Sequence, residues 1–197
     1  MIECRNIFLS FGDKEIFKDL NFSILEGEHY CVTGSSGRGK STLLKLIQAY
    51  VRPDRGRIII QGKELNAANI KVLREFTAWI PQNINLPVQN GLELLDMLHM
   101  KHKRPQVEQY AFNLGLEAPI IEQPFAIISG GQKQRLVMAI CFALDKSIIL
   151  MDEPTASLDE DSIQLLLRTI GQMKDRTILS ASHNQTWINA VPKRIAL

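Results

Sequence analysis

A glycine-rich segment near the start of the chain has the residue types and the spacing of a phosphate-binding loop. Residues 34–41 fit the pattern G-x-x-x-x-G-K-[ST] without a mismatch, between a short apolar strand and an amphipathic helix. Glycines let consecutive backbone N–H groups converge on phosphate oxygens, and the following helix directs its positive end toward the same anion. Lys40 would contact the β- and γ-phosphates, and the Ser41 hydroxyl would bind Mg²⁺. The predicted nucleotide site comprises Gly34, Ser35, Ser36, Gly37, Arg38, Gly39, Lys40, Ser41 and Thr42.

Two carboxylates directly follow a second candidate strand. The fully apolar run 148–151, typical of a central parallel strand, leads into Asp152, Glu153 and Pro154. A carboxylate at the carboxyl end of such a strand lies in the crevice where α/β sheets bind ligands. We therefore predict that Asp152 holds Mg²⁺ through water and that Glu153 acts as the general base on an attacking water. A solvated turn is the structural alternative, but the phosphate loop upstream favours the catalytic interpretation.

The elements that would position these residues alternate between strands and helices. Apolar positions recur with a period of two in the short predicted strands and with helical spacing elsewhere, most clearly between Pro81 and Ser129. This pattern predicts an α/β fold with an α-rich insertion at about residues 83–145. The predicted strands are 2–9, 17–25, 30–33, 57–60, 76–80, 148–151, 177–180 and 194–197, and the predicted helices begin near residues 40, 94, 105, 129 and 159.

Composition and charge exclude several other classes of protein. With 45% hydrophobic residues and only 12 Gly and 8 Pro among 197 residues, the chain is neither disordered nor collagen-like. A net charge of +2 is weaker than the basic surface of most nucleic-acid-binding proteins. Charged residues interrupt every apolar run before the ~18 residues that a membrane span needs, and we see no signal peptide. Cys4, Cys31 and Cys141 cannot all pair and have no metal-binding spacing, so we expect a soluble protein of a reducing compartment.

A third motif lies before the helix predicted from Ser129. Ser129 and Gln132 have the spacing of a capping box, and Gly130 and Gly131 expose backbone amides at the start of that helix, which makes it a second anion site. With Ile128, the segment Ile-Ser-Gly-Gly-Gln resembles the signature motif of ATP-binding cassette (ABC) ATPases, in which the first residue is usually Leu. A helix cap alone would be the favoured interpretation if this motif stood by itself.

Further landmarks of that family occur in the expected order, so the resemblance covers essentially the whole chain. Gln82 resembles the Q-loop glutamine that touches Mg²⁺ and the attacking water. Asp159, at the end of Ala-Ser-Leu-Asp, resembles the D-loop aspartate near the nucleotide, and His183 the switch histidine at the γ-phosphate. Phe11 matches the aromatic residue that stacks on adenine, where Tyr is commoner. Taken singly, these residues would more often belong to the surface or the core.

The resemblance implies both the fold and its division into subdomains. The expected architecture is the ABC-type variant of the P-loop NTPase fold: a parallel core sheet, an N-terminal antiparallel β subdomain and an inserted α-helical subdomain. Residues 1–82 and 146–197 would form the core and residues 83–145 the helical signature subdomain.

The resemblance also implies partners. In this family two cassettes sandwich two ATP molecules head to tail, and the signature helix of one copy closes on the γ-phosphate held by the other. Since one chain carries a single set of motifs, we expect a homodimer. We also expect an integral-membrane permease as partner, with no nucleic acid bound, no direct membrane insertion, and a location on the cytoplasmic face of the membrane. A soluble ATPase of iron–sulfur cofactor assembly is the alternative.

Three segments have two open interpretations. Ile84, Leu86 and Val88 could contact the permease or belong to the core of the helical subdomain. The basic cluster Lys101–Arg104 is expected to be a solvated helix end and only secondarily a contact for anionic lipid headgroups. Arg38 is unusually large for a phosphate loop and could touch nucleotide or partner.

Overall fold

The computed structural model describes residues 1–117 and 119–197, which form two sheets surrounded by helices. The first sheet is antiparallel, with strand order β2-β1-β4-β5. Its long strands pair in a hairpin whose turn lies between Phe11 and Lys14, and β4 adds to the other edge of β1. These strands are β1 (Ile2–Phe11), β2 (Lys14–Ile24), β4 (Arg55–Ile60) and β5 (Lys63–Glu64).

The second sheet is parallel, with strand order β6-β7-β8-β3-β9. The carboxyl ends of its strands meet at one edge, because Ile80 pairs with Met151, Asp152 with Ala181, and Val32 also with Ala181. That edge is where α/β sheets present their ligand sites. The strands are β3 (His29–Thr33), β6 (Thr77–Ile80), β7 (Ile148–Asp152), β8 (Thr177–Ala181) and β9 (Lys193–Ala196).

Strand β7 is buried on both faces, as its uninterrupted apolar run predicts. Ile148 and Leu150 pack into the hydrophobic cluster shared with the antiparallel sheet and the first helix. Ile149 and Met151 point the other way, into the cluster formed with the remaining helices. Because successive side chains of a strand alternate between faces, β7 anchors both layers and holds the carboxylates at its end in a fixed place.

In the part of the chain that the structure describes, seven α-helices complete the fold. Three of them, α3 to α5, lie between β6 and β7, which agrees with the predicted α-rich insertion, and α5 packs on both α3 and α4 as well as on β6. The two shortest, α2 and α7, were not predicted, since six residues are too few to show a helical period. The helices are α1 (Lys40–Ile47), α2 (Ile70–Glu75), α3 (Gly91–Met97), α4 (Arg104–Asn113), α5 (Gly130–Phe142), α6 (Glu160–Gly171) and α7 (Gln185–Ala190).

Contacts within the chain favour structural roles for two of the segments with open interpretations, residues 84–88 and the basic cluster. Ile84, Leu86 and Val88 are partly buried against the helix-side core. In the basic cluster, Lys101 lies 2.8 Å from Asp96 and Lys103 lies 2.5 Å from Asp145, while Arg104 pairs with Glu108 and Glu122 at 2.7 Å. These cations therefore have carboxylate partners within the chain.

The three cysteines are free thiols. Within residues 1–117 and 119–197, no helix combines the length and the apolarity needed to cross a bilayer.

Candidate functional site

An open cleft of about 640 Å³ lies at the carboxyl edge of the parallel sheet. Four strand ends supply it: the segment after β3 begins at Gly34, the segment after β6 reaches Gln82, β7 ends near Glu153, and the segment after β8 contains His183. The cleft thus gathers residues that are far apart in sequence. It is lined by Phe11, Lys14, Ile16, Gly34, Ser35, Ser36, Gly37, Gly39, Lys40, Ser41, Thr42, Gln82, Glu153 and His183.

The phosphate loop wraps the start of helix α1. Gly39 has φ +96° and is the N-cap of α1, and a Cβ added to it would lie 2.7 Å from Cγ2 of Ile16. Both the backbone angle and the close approach therefore require glycine. The Lys40 side chain is largely buried, and Nζ donates to the carbonyl of Gly34 at 2.9 Å and to that of Ser35 at 3.3 Å. The ammonium group thus lies inside the loop where a phosphate would bind.

Two of the three predicted magnesium ligands, Ser41 and Asp152, are in direct contact. The Ser41 Oγ donates to Asp152 Oδ1 at 2.8 Å. Burial raises the pKa of Asp152, and the nearby Glu153 charge adds to this effect, while the Ser41 hydrogen bond opposes it. A hydroxyl oxygen and one carboxylate oxygen side by side suit Mg²⁺, which keeps several waters and takes phosphate oxygens as further ligands. The residues present therefore fit the ion, and Gln82 lines the same cleft.

Glu153 and His183 form a hydrogen-bonded pair beside the cleft. Oε2 of Glu153 lies 2.9 Å from Nδ1 of His183, and the backbone N–H of His183 donates to the same oxygen at 3.4 Å. Glu153 is only 7% exposed, while the side chain of His183 is largely exposed. The histidine is therefore placed to orient a carboxylate that faces the cleft from a buried position.

The backbone of Glu153 is strained. Its φ is +48°, which non-glycine residues rarely adopt. Its N–H donates to the carbonyl of Ala181 at 2.8 Å, which ties the peptide to the end of β8. A backbone of this kind persists only where surrounding contacts hold it in place, as this hydrogen bond does.

Gln134 on helix α5 contacts the same turn, and sequence reasoning did not identify it. It is buried, and its Nε2 donates to the carbonyls of Glu153 at 3.4 Å and Pro154 at 3.3 Å. The only available signal in the sequence was a polar residue in a helix whose remaining buried positions are mostly apolar.

The capping box predicted at the signature segment is present, on an exposed surface. Ser129 Oγ accepts from the Gln132 N–H at 3.1 Å, and Gln132 Oε1 accepts from the Ser129 N–H at 2.9 Å. Ser129 and Gly130 are exposed, whereas a Cβ added to Gly131 would lie 2.6 Å from the Ser157 carbonyl oxygen. The residues lining the cleft include none from Ser129 to Gln132, within the described part of the chain. The two predicted anion sites therefore lie apart in one copy.

The remaining predicted residues divide between the cleft and its surroundings. Phe11 is 52% exposed at the end of β1 and lines the cleft, where an aromatic ring could stack on a base. Asp159 is the N-cap of α6 and accepts from the Ser162 N–H at 2.8 Å, and hydrogen bonding from the side chain and then the backbone of Ser162 lowers its pKa. Arg38 is exposed and is not among the cleft-lining residues.

A comparison with protein families matches residues 17–156 to the ABC transporter model. Among curated proteins, a methionine import ATP-binding protein of Clostridium acetobutylicum is 35% identical over all of this chain, which spans only 65% of the relative's length. A probable ABC transporter ATP-binding protein of Campylobacter jejuni is 31% identical, with 99% of this chain and 85% of the relative aligned.

The fold also matches solved structures. A dimeric ATP-binding cassette in a post-hydrolysis state, with bound ADP and phosphate, superposes with a TM-score of 0.88 at 24% identity. The match covers all of this chain and 94% of that one. At this identity the likeness shows the fold alone, and it confirms the predicted ABC-type architecture.

Proposed function

Since this chain belongs to the ABC transporter family, in which it is an ATP-binding ATPase, we propose that two copies close around two molecules of Mg·ATP and power a separate membrane permease. The boundary between core and helical subdomain near residues 82 and 146 is part of the same proposal, as are the roles of the individual site residues.

One observation carries the proposed dimer. The phosphate loop and the signature segment are both built to receive an anion, yet Ser129–Gln132 lie outside the cleft that contains Lys40 and Glu153. A signature segment that cannot reach the nucleotide of its own chain needs a nucleotide held by another chain. A head-to-tail pair of identical copies satisfies both segments at once and closes by symmetry.

The cleft residues divide the chemistry among them. Lys40 and the backbone amides of the phosphate loop bind the phosphates, and Ser41, Asp152 and Gln82 would hold Mg²⁺. When bound, Mg²⁺ neutralises charge that develops on the transferred phosphoryl group. Phe11 would stack on the adenine ring, and the signature amides of the partner copy, with its Asp159 nearby, would complete the site.

Glu153 is the proposed general base and His183 its orienting partner. The water oxygen attacks the γ-phosphorus as the bond to the ADP oxygen breaks, and Glu153 receives the proton that the water loses. The 2.9 Å contact between Glu153 Oε2 and His183 Nδ1 fixes the direction of the carboxylate. His183 is exposed enough to contact a γ-phosphate as well.

Coupling to transport follows from the difference between the open and closed states. Bound ATP joins the two copies only when they are closed, so it drives closure through those contacts, and hydrolysis removes them. The named functions of the relatives, import of methionine and ABC transport, support a permease partner at the cytoplasmic face of the membrane.

Glu153→Gln tests the proposed dimer and the base together. We expect the variant to bind ATP, to lose turnover by about 10²–10⁴-fold, and to accumulate as a dimer in size-exclusion light scattering with Mg·ATP. Glu75→Gln, an exposed acid at the end of α2, is the matched control and should behave as the wild type. Lys40→Ala should bind no ATP and stay monomeric.

Two results would contradict the proposal. Normal turnover of Glu153→Gln would refute the assignment of Glu153 as the general base. If this variant stayed monomeric with saturating Mg·ATP, the proposed arrangement of two copies around two nucleotides would be refuted. Purification in mild detergent then tests the partner: a multi-span membrane protein should copurify, and recovery of soluble scaffold proteins instead would favour cofactor assembly.

A further inference from the structure

Helix α5 connects the signature segment to the catalytic turn of the same chain. Its first turn carries the exposed capping box at Ser129, and its second turn carries Gln134, which is 3% exposed. The amide Nε2 of Gln134 lies within hydrogen-bond distance of two successive carbonyl oxygens, those of Glu153 and Pro154. One side chain therefore holds two peptide groups of the turn.

The other half of the Gln134 amide is unsatisfied. Its Oε1 is buried without a hydrogen-bond partner, one of two such side-chain atoms among the residues that the structure describes. A buried acceptor without a partner destabilises the folded state. The contribution of Gln134 therefore lies in what its donor holds rather than in the stability of the fold.

The first of the two carbonyls that Gln134 holds belongs to Glu153, the residue with the strained backbone. Glu153 has φ +48°, and its N–H is tied to the Ala181 carbonyl at 2.8 Å. With Gln134 on its carbonyl, the residue is fixed on both sides, by the parallel sheet and by α5. The direction of its side chain toward His183 depends on both ties, because the orientation of the flanking peptides sets the direction of the Cα–Cβ bond.

We propose that Gln134 is a positioning residue that keeps the Glu153 carboxylate directed into the cleft, and that the position of α5 thereby controls the catalytic competence of its own chain. The proposal rests on the proposed function, in which Glu153 is the general base. When the signature segment closes on the nucleotide held by the other copy, the first two turns of α5 would then transmit that contact to the hydrolytic site of their own chain.

Gln134→Met tests this role, since Met keeps the length and the burial but has no donor. We expect turnover to fall by about 10–100-fold, the range expected from misplacing a catalytic group by about 1 Å. The affinity for ATP should not change, because Gln134 is not among the residues lining the cleft. The melting temperature should change little, because the loss of the two hydrogen bonds from Nε2 is offset by removal of the buried, unpaired Oε1. Gln164→Met, an exposed glutamine on α6, is the matched control.

A double-mutant cycle with Glu153→Gln separates positioning from other effects. In that background, Gln134→Met should cause no further loss in single-turnover hydrolysis, because the group it positions is already neutral. An equal loss in both backgrounds would overturn the proposal, and so would a lower melting temperature with normal turnover. Gln134→Glu, which replaces the donor with an acceptor, should show the same loss of turnover if Gln134→Met fails to fold. Full activity of Glu153→Gln alone would instead refute the base, which is a failure of the proposed function.

Discussion

The two adjacent glycines of the signature segment should respond to alanine in opposite ways. A Cβ on Gly130 meets no atom within 4 Å in its own chain, whereas a Cβ on Gly131 would lie 2.6 Å from the carbonyl oxygen of Ser157. Gly130 faces outward at the start of α5, and Gly131 faces the segment that follows the catalytic turn. Gly130→Ala should therefore impair assembly and the turnover that depends on it without destabilising the chain, whereas Gly131→Ala should destabilise the folded chain itself.

The magnitudes follow from these distances. Relieving a contact of 2.6 Å against backbone requires α5 or the Ser157 segment to move, at a cost of about 1–3 kcal/mol for such overpacking. For a domain of this size each kcal/mol lowers the melting temperature by about 2–4 °C. Gly130→Ala causes no clash and lies at the first position of α5, so the folded chain should keep its stability. Its methyl group would, however, occupy the surface that the proposed dimer presents to the γ-phosphate.

Thermal melting and ATPase rate measured on both variants provide the test. Gly130→Ala should melt at the wild-type temperature, with turnover and ATP-dependent dimerisation strongly reduced. Gly131→Ala should melt several degrees lower. If Gly130→Ala hydrolyses ATP at the wild-type rate, the signature segment does not act on a nucleotide. If Gly131→Ala melts normally, the packing of α5 against Ser157 described above is incorrect.

Two further predictions concern buried titratable groups. Because burial raises the pKa of Asp152, the charged carboxylate destabilises the fold at neutral pH. Asp152→Asn should therefore raise the melting temperature at pH 7.5, with a smaller rise as the pH falls through that pKa, and should abolish Mg²⁺-dependent hydrolysis. An unchanged melting temperature at pH 7.5 would contradict this. Burial beside Trp187 lowers the pKa of His29 from 6.5 to about 4, so the unfolded chain binds more protons between these values and stability falls as the pH drops. From pH 7.5 to 5 the free energy of unfolding of the wild type should fall by about 2 kcal/mol more than that of His29→Phe. Denaturant titrations at both pH values measure this difference, and equal losses in the two proteins would refute the prediction.

Most residues of the cleft, though not Lys14 and Ile16, could be named from sequence because they belong to local patterns. The phosphate loop requires consecutive glycines followed by Lys40, and the acids at β7 require an apolar run that ends abruptly. The parallel arrangement that joins these segments follows from alternating strands and helices. The capping box at Ser129 is likewise a pattern of two residues three apart, and the structure contains both of its hydrogen bonds.

Features that depend on tertiary contacts were not predictable. The α7 helix forms because Asn184 caps it, accepting from the Trp187 N–H at 2.9 Å, and because Trp187 is fully buried. Its six residues are too few to show a period. Likewise Gln134 reaches Glu153 across 19 positions of sequence, and no local spacing indicates that contact. The strain at Glu153 is also invisible in sequence, since glutamate rarely adopts positive φ.

The order of strands in the parallel sheet has a consequence for how the chain folds as it is synthesised. Strand β3, which leads into the phosphate loop, pairs with β8 and β9 near the other end of the chain, so the segments on either side of the nucleotide are about 150 residues apart. Such distant pairings form slowly, because long loops must close before any contact compensates for the lost entropy. A nascent chain that does not yet include β8 and His183 therefore lacks the complete cleft. Any ligand of the cleft should then bind the finished molecule and not its precursors, and by mass action it should protect that molecule from unfolding.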